Sequence, residues 1–267
     1  MTSPRMPALF LGHGSPMTVL SDVPVRRSWI ALGQALPRPK AILVVSAHWE
    51  TASATHVTAG PSPRTIHDFR GFPAELFAIQ YPAPGSDWLA ARVADLIGHD
   101  RVRADDSWGF DHGAWGVMQP MYPNAGIPMV AMSLNRALSP QEHLALGAAL
   151  APLRDEGVLL VGSGNIIHNL RLWRELGGVQ LDWALEFRAR TNAAILAGDH
   201  DALIHFAADD HAAAAAINSA EHYLPLLYVL GARLSGDTVS LFNDTVEGAL
   251  SMTSVLLGDP ALIGHVA

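Results

Sequence analysis

Ala8-Leu9-Phe10-Leu11-Gly12-His13-Gly14-Ser15-Pro16 and Ala41-Ile42-Leu43-Val44-Val45-Ser46-Ala47-His48-Trp49-Glu50 decide the fold. Each begins with an unbroken apolar run and ends in polar and turn residues. A run of this length without polar alternation reads as a strand buried on both faces. Between them, Arg27–Leu36 carries Trp29, Leu32 and Leu36 at helical spacing. Strand, crossover helix, strand is a right-handed parallel unit, so the fold class is α/β.

Working outward, Thr55–Thr58 reads as a third, shorter strand, and Gly60–Gly85 as a long ordered loop dense in Gly, Pro and aromatic residues, of the kind that serves a site. Asp87–Ile97 is helical by its Leu89, Val93, Leu96 and Ile97 stripe. Ile127–Met132 is a strand. Ser139 caps a helix over Pro140–Leu153, with Pro140 in the first turn and Glu142 closing a capping box. Val158–Val161 is the next strand and Asp182–Leu196 the next helix. Ala207–Ile217 is alanine-rich, and Glu221–Leu230 reads as a helix interrupted near its start by Pro225. Thr238–Asn243 and Ser251–Leu257 have strand composition, separated by a turn at Glu247-Gly248. Roughly six or seven strands interleave with five or six helices. With no internal repeat or linker, the expectation is one domain over residues 1–267, with a mostly parallel or mixed central sheet flanked by helices.

Composition narrows the function. Of 267 residues, 49% are hydrophobic and 16% charged, and 17 basic against 25 acidic side chains give a net charge of −8. No basic stripe exists, which argues against nucleic acid as a partner. No apolar stretch approaches the roughly 20 residues that span a bilayer, and Met1–Arg5 does not lead into a signal-peptide core. A soluble cytoplasmic protein is expected. Cysteine is absent, which removes disulfides, thiolate metal sites and iron–sulfur clusters. Any metal must be held by nitrogen and oxygen.

The chain has 13 histidines, and their placement is informative. His13, His48 and His168 fall at or just past the carboxyl ends of expected strands, the edge where open α/β sheets bind ligands. A metal site at that edge follows, although His13 also suits a strand-end turn. The glycines around His13 lack the spacing of a dinucleotide or phosphate loop. His168 opens a helix, where it reads as a ligand, a neutral base or a surface residue. His112 lies in Trp108-Gly109-Phe110-Asp111-His112-Gly113-Ala114-Trp115, either an aromatic wall with a hydrogen-bond donor or a glycine-permitted turn. In Glu221-His222-Tyr223, helical neighbours point about 100° apart, so one of Glu221 and His222 faces a metal. His67 and Arg70, in the long loop, are placed to meet the polar tail of a ligand. The remaining histidines have no supporting context.

Together, Gly-His-Gly-Ser-Pro, Ser-Ala-His-Trp-Glu, Phe-Asp-His-Gly-Ala-Trp, Gly-Ser-Gly-Asn-Ile-Ile-His-Asn and Glu-His-Tyr resemble the class III extradiol ring-cleavage dioxygenases, most closely their DOPA-type branch, from about Leu9 to about Leu257. The resemblance implies a metal shell of His13, His48 and His222, with Glu221 as a rival third ligand. It implies His168 as the active-site base, able to make a fourth contact with zinc, and His112 as a contact to bound oxygen or substrate hydroxyl. His67, Phe69, Phe72 and Trp115 would flank the substrate. The implied reaction inserts both atoms of dioxygen into a substituted, DOPA-like catechol and opens the ring to a semialdehyde. Fe(II) is the implied cofactor, with Zn(II) able to occupy the site in purified samples. All four electrons come from the diol, so no NAD, flavin or iron–sulfur cluster is needed. The implied partners are a small catechol and O2, with the chain a monomer or homo-oligomer needing no second subunit. The residue types leave two other readings open: a zinc-dependent hydrolase, or a zinc-binding protein without catalysis.

Overall fold

A computed structural model describes residues 4–206 and 210–264. The apolar runs form the middle of an eight-stranded sheet whose order is β4-β3-β5-β2-β6-β1-β10-β7. Here β1 is Ala8–Gly12, β2 Ala41–Thr51, β3 Thr55–Thr58, β4 Val102–Asp105, β5 Met129–Asn135, β6 Val158–Gly164, β7 Thr238–Phe242 and β10 Ser254–Gly258. A separate hairpin pairs β8 (Val246–Glu247) with β9 (Leu250–Ser251). The central strands β5, β2, β6 and β1 are mutually parallel. Antiparallel pairing of β3 with β5 and of β10 with β1 makes the sheet mixed.

Alternate residues of the central strands point to opposite layers. Leu9, Leu11, Ile42, Val44, Leu159 and Val161 pack with helices Pro24–Ala35 and His112–Met121. Ala8, Phe10, Leu43, Val45 and Leu160 pack with helices Asp87–Ile97, Pro140–Leu150, Asp182–Ala197 and Leu224–Gly231. Burial on both faces explains the unbroken apolar runs, and the parallel strands direct all their carboxyl ends to one rim.

Several elements depart from the expectations. Helix His112–Met121 was legible only as a motif around His112. It is buried nearly all round, including Gly113, Gly116 and Pro120, so it carries no amphipathic stripe, and packing overrides glycine's weak helical propensity. The short strand β4 was not foreseen. Pro225 begins helix Leu224–Gly231 instead of interrupting it, after a separate 3-10 turn over Ala220–His222. Pro152 likewise starts a new turn, Pro152–Asp155, where one helix to Leu153 was expected. The expected strand Ser251–Leu257 is split between the hairpin and β10. Of the alanine-rich stretch, 207–209 lies outside the described residues and His211–Ala216 is helical. Among the described residues, no helix is long and apolar enough to cross a membrane.

Candidate active site

The rim is shaped by close backbone approaches. His13 follows β1 directly, and its N–H donates to the Gly164 carbonyl at 3.1 Å, extending the β1–β6 ladder by one bond. In β2 the pairing with β5 jumps from Val45↔Met132 to Glu50↔Leu134, so extra residues bulge out and bring His48 to the rim. Ser46, in that bulge, donates to the carboxylate of Asp111 at 2.6 Å, and Asp111 caps helix His112–Met121 by accepting from the Ala114 N–H. The bulge and the helix start are thereby locked together, with His48 and His112 ring centroids 4.0 Å apart. His222 ends the 3-10 turn Ala220–His222. Its carbonyl accepts from the Asn165 N–H at 2.8 Å and would stand 2.1 Å from a Cβ at Gly164. Only glycine at 164 lets His222 come this near the end of β6.

The result is a cluster of imidazoles. His13, His48 and His222 present ligand nitrogens all within 4.8 Å of one another. Each has its Nδ1 engaged on the outer side: His13 with Ser163 Oγ at 3.0 Å, His48 with Asp68 at 3.0 Å, and His222 with Glu221 at 3.0 Å. Their inner sides converge. The Nε2 atoms of His13 and His48 are 3.1 Å apart, and the buried Nε2 of His222 has no hydrogen-bond partner. Burial, reinforced by the neighbouring histidines, pushes the pKa of His13 and of His222 well below the ordinary value, which keeps their lone pairs available. Burial pulls His48 the same way, but the Asp68 hydrogen bond and the charges of Asp111, Asp68 and Glu221 outweigh it and raise its pKa. Three imidazoles oriented from outside by hydroxyl and carboxylate groups, with inner nitrogens that converge on one another, fit a divalent transition-metal ion.

His112 and His168 flank this cluster. Asp68 accepts from both the backbone N–H and the Nδ1 of His112 at 2.9 Å, while also holding His48. Burial raises the Asp68 carboxyl, but its hydrogen bonds to His112 and His48 prevail and keep it well below the usual carboxylate range. The ring of His168 stacks on His222 with centroids 3.4 Å apart and planes 10° from parallel. Burial first, then the charge of His48, pushes the His168 pKa down to about 4.

Above the histidines opens a cavity of about 490 Å³ whose walls include Phe69, Phe72, Leu170 and Trp173, with Arg70 and Arg174. His67 and Trp115 do not line it. Their rings stand 5.7 Å and 6.3 Å from that of Phe69, with His67 Nε2 on the Ile79 carbonyl and Trp115 Nε1 on the Ile66 carbonyl. They support the wall from behind.

A family profile described as the catalytic LigB subunit of aromatic ring-opening dioxygenase matches residues 8–251. The chain belongs to this family. The ring-opening dioxygenase is 48% identical to the "4,5-DOPA dioxygenase extradiol" of Escherichia coli K12, with 97% of each chain covered. It is 35% identical to a protein of the same description from Beta vulgaris, covering 90% of this chain and 92% of the relative. The crystal structure of an uncharacterised protein from Escherichia coli K12 superposes with a TM-score of 0.82 at 44% identity, covering 95% of this chain and all of the other. Membership makes this chain an enzyme that uses dioxygen on a small aromatic substrate. The histidine cluster is where the structure offers such an enzyme a metal.

Sequence reasoning missed several contributors to this dioxygenase's site. Asp68 lies in the long loop Gly60–Gly85, but nothing local reveals that it reaches His48 and His112. Ser163 appeared only as a strand end, and Glu221 only as a rival ligand, whereas its carboxylate hydrogen-bonds the Nδ1 of His222. Trp173 and Arg174, on helix Leu170–Leu176, carried no signal of their own.

Proposed function

We propose that the protein is a non-haem Fe(II)-dependent extradiol dioxygenase of substituted catechols, with residues 1–267 acting as one catalytic unit. His13, His48 and His222 hold the iron, and Glu221 orients His222 from outside. The observation that carries this reading is the convergence of three imidazoles whose outer nitrogens are engaged by hydroxyl and carboxylate oxygens and whose inner nitrogens meet only one another. Bound iron supplies a path for electrons from the diol to dioxygen, which zinc lacks; zinc competes for the same nitrogens.

The chain's own residues account for the rest. Phe69 and Phe72 clamp a planar ring over the histidines and keep water out, which strengthens every polar contact beneath. His168, uncharged at neutral pH and held flat against His222, accepts a hydroxyl proton as the diol settles. His112, fixed by Asp68 through its Nδ1, directs its other ring nitrogen at the oxygen that gains negative charge. The names of the relatives support a DOPA-like substrate. The protein is expected in the cytoplasm, without nucleic-acid or membrane partners, as a monomer or homo-oligomer.

Anaerobic loading with Fe(II), followed by a catechol panel read by oxygen uptake and product absorbance, tests the assignment. One dioxygen consumed per ring opened is the expected result, with the zinc-loaded protein inert. Turnover of an ester by the zinc form without oxygen would replace this reading with a hydrolase.

A further inference from the structure

Beside the large cavity lies a much smaller one of about 10 Å³, room for a single small molecule. Pro16, Val19, Trp29 and Gly116 wall it, and His13 and His112, whose ring centroids are 5.6 Å apart, line both spaces. Helix His112–Met121 contributes Gly116 and, one turn earlier, Gly113. A Cβ at Gly113 would stand 2.5 Å from Ser46 Oγ and 2.9 Å from His48 Cδ2, so packing requires that glycine. A Cβ at Gly116 would meet only Val19 Cγ1, at 3.9 Å, an ordinary contact, and the backbone there is not left-handed. Alanine would fit at 116 and would favour the helix. What glycine preserves is the space between the helix and Val19.

Most of the polar side-chain atoms around this space are already engaged. His13 pairs its Nδ1 with Ser163 Oγ and its Nε2 with His48, the Nδ1 of His112 is on Asp68, and Ser15 Oγ accepts from the Met17 N–H. The Nε1 of Trp29 is buried with no partner among the described residues. A buried water commonly has about three hydrogen-bond partners, whereas dry apolar voids take apolar guests. Dioxygen is small, uncharged and apolar, and family membership makes it a reactant of this chain. When an aromatic ring fills the large cavity against Phe69 and Phe72, dioxygen needs a place next to the histidines that the ring leaves free. We propose that Pro16, Val19, Trp29 and Gly116 wall a holding site for dioxygen beside His13 and His112, and that residue 116 is glycine to keep it open. The site rests on the ring-opening reading for its occupant and on the cavity for its existence.

Two substitutions act on the space in opposite directions: Gly116→Ala fills it and Val19→Ala widens it. In crystals of the protein as purified, pressurised with xenon, anomalous density is expected between Gly116 and Val19. It should vanish in Gly116→Ala and gain occupancy in Val19→Ala. The melting temperature of Gly116→Ala should equal or exceed that of the wild type, since the helix is favoured and nothing is displaced. In the iron-loaded enzyme, Gly116→Ala should raise the KM for dioxygen severalfold and leave the KM for the catechol unmoved, whereas Val19→Ala should not raise either. An ordered water on the Trp29 indole N–H that xenon does not displace would overturn the site. So would a Gly116→Ala protein less stable than the wild type, or one with an unchanged KM for dioxygen. Absence of xenon with oxygen uptake intact would overturn the site alone. Xenon bound as expected in a protein that consumes no dioxygen with any catechol would instead strike the ring-opening reading, and with it dioxygen as the occupant, while the apolar cavity stood.

Discussion

Two buried polar clusters lie at opposite ends of the same parallel strands, and they are built on opposite principles. At the amino ends, Arg154 is fully buried, and its guanidinium donates to the carbonyls of Met6, Ala232 and Leu257 and to both carboxylate oxygens of Asp237, at 2.5–3.0 Å. Each of its three nitrogens is engaged, so the cluster is closed and serves only to tie chain segments together. At the carboxyl ends, the histidines are satisfied on their outer nitrogens, while within, the Nε2 atoms of His13 and His48 reach only each other and that of His222 reaches none. A cluster that turns its spare valence inward is prepared for a guest. His143 adds a control: it too is buried with a lone unpartnered Nε2, its Nδ1 on the Tyr228 hydroxyl at 2.9 Å, but among the described residues no second and third ligand group converge on it. An orphan nitrogen marks a site only where other ring nitrogens converge on it.

The largest expected effect separates the two ends. His13→Ala should abolish iron retention while leaving the denaturant midpoint near wild type, since it removes a desolvated group whose role is to bind. Arg154→Ala should do the reverse, costing about 3–5 kcal/mol of stability by leaving Asp237 buried and unpaired. Metal stoichiometry and chemical denaturation on both variants check this, and a His13→Ala protein that unfolds would erase the contrast.

The control histidine is expected to act through pH. Burial holds the folded-state pKa of His143 at about 4, below the ordinary value of 6.5. Above 6.5 it is neutral in both states and its contribution is whole. As pH falls from there towards about 4, the unfolded chain takes up a proton that the folded one refuses, and stability drops by up to about 3 kcal/mol. Denaturation midpoints of wild type and His143→Gln across this window should diverge by that slope, and parallel curves would show that His143 is not held neutral.

The smallest expected effect concerns Asp68, which holds two rings from outside. Asp68→Asn keeps the shape but loses one accepting oxygen and the negative charge. Iron binding measured against a competing chelator should weaken by about 10–100-fold. An unchanged affinity would mean that the protein frame alone orients His48.

Much of this arrangement was legible in the chain. Helix Asp87–Ile97 emerged with its observed bounds because its apolar stripe is local; the structure adds the Ser86 cap. Strands β1, β2 and β6 were legible because burial on both faces leaves uninterrupted apolar runs. Strand β2 runs on to Thr51 because its bulge is set by pairing with β5, which no local pattern records. Helix His112–Met121 was hidden for a related reason: a segment buried on every side has no periodicity to read. Of the site, His13, His48 and His168 were legible as strand ends and His112 and His222 only as parts of motifs, whereas the supporting wall role of His67 and Trp115 and the reach of Asp68 were not.

By itself, the sequence determined that the first two long strands form a parallel unit, that His13, His48 and His168 fall at strand ends, and that any metal is held without sulfur, because apolar runs, turn residues and donor types are local properties. Tertiary structure alone decided which nitrogens face one another and which carboxylate steadies them. Those outcomes depend on side-chain direction and on contacts such as Asp68 with His112 and Ser163 with His13, 44 and 150 residues apart in the chain, which form only once the sheet has brought its ends to a common rim.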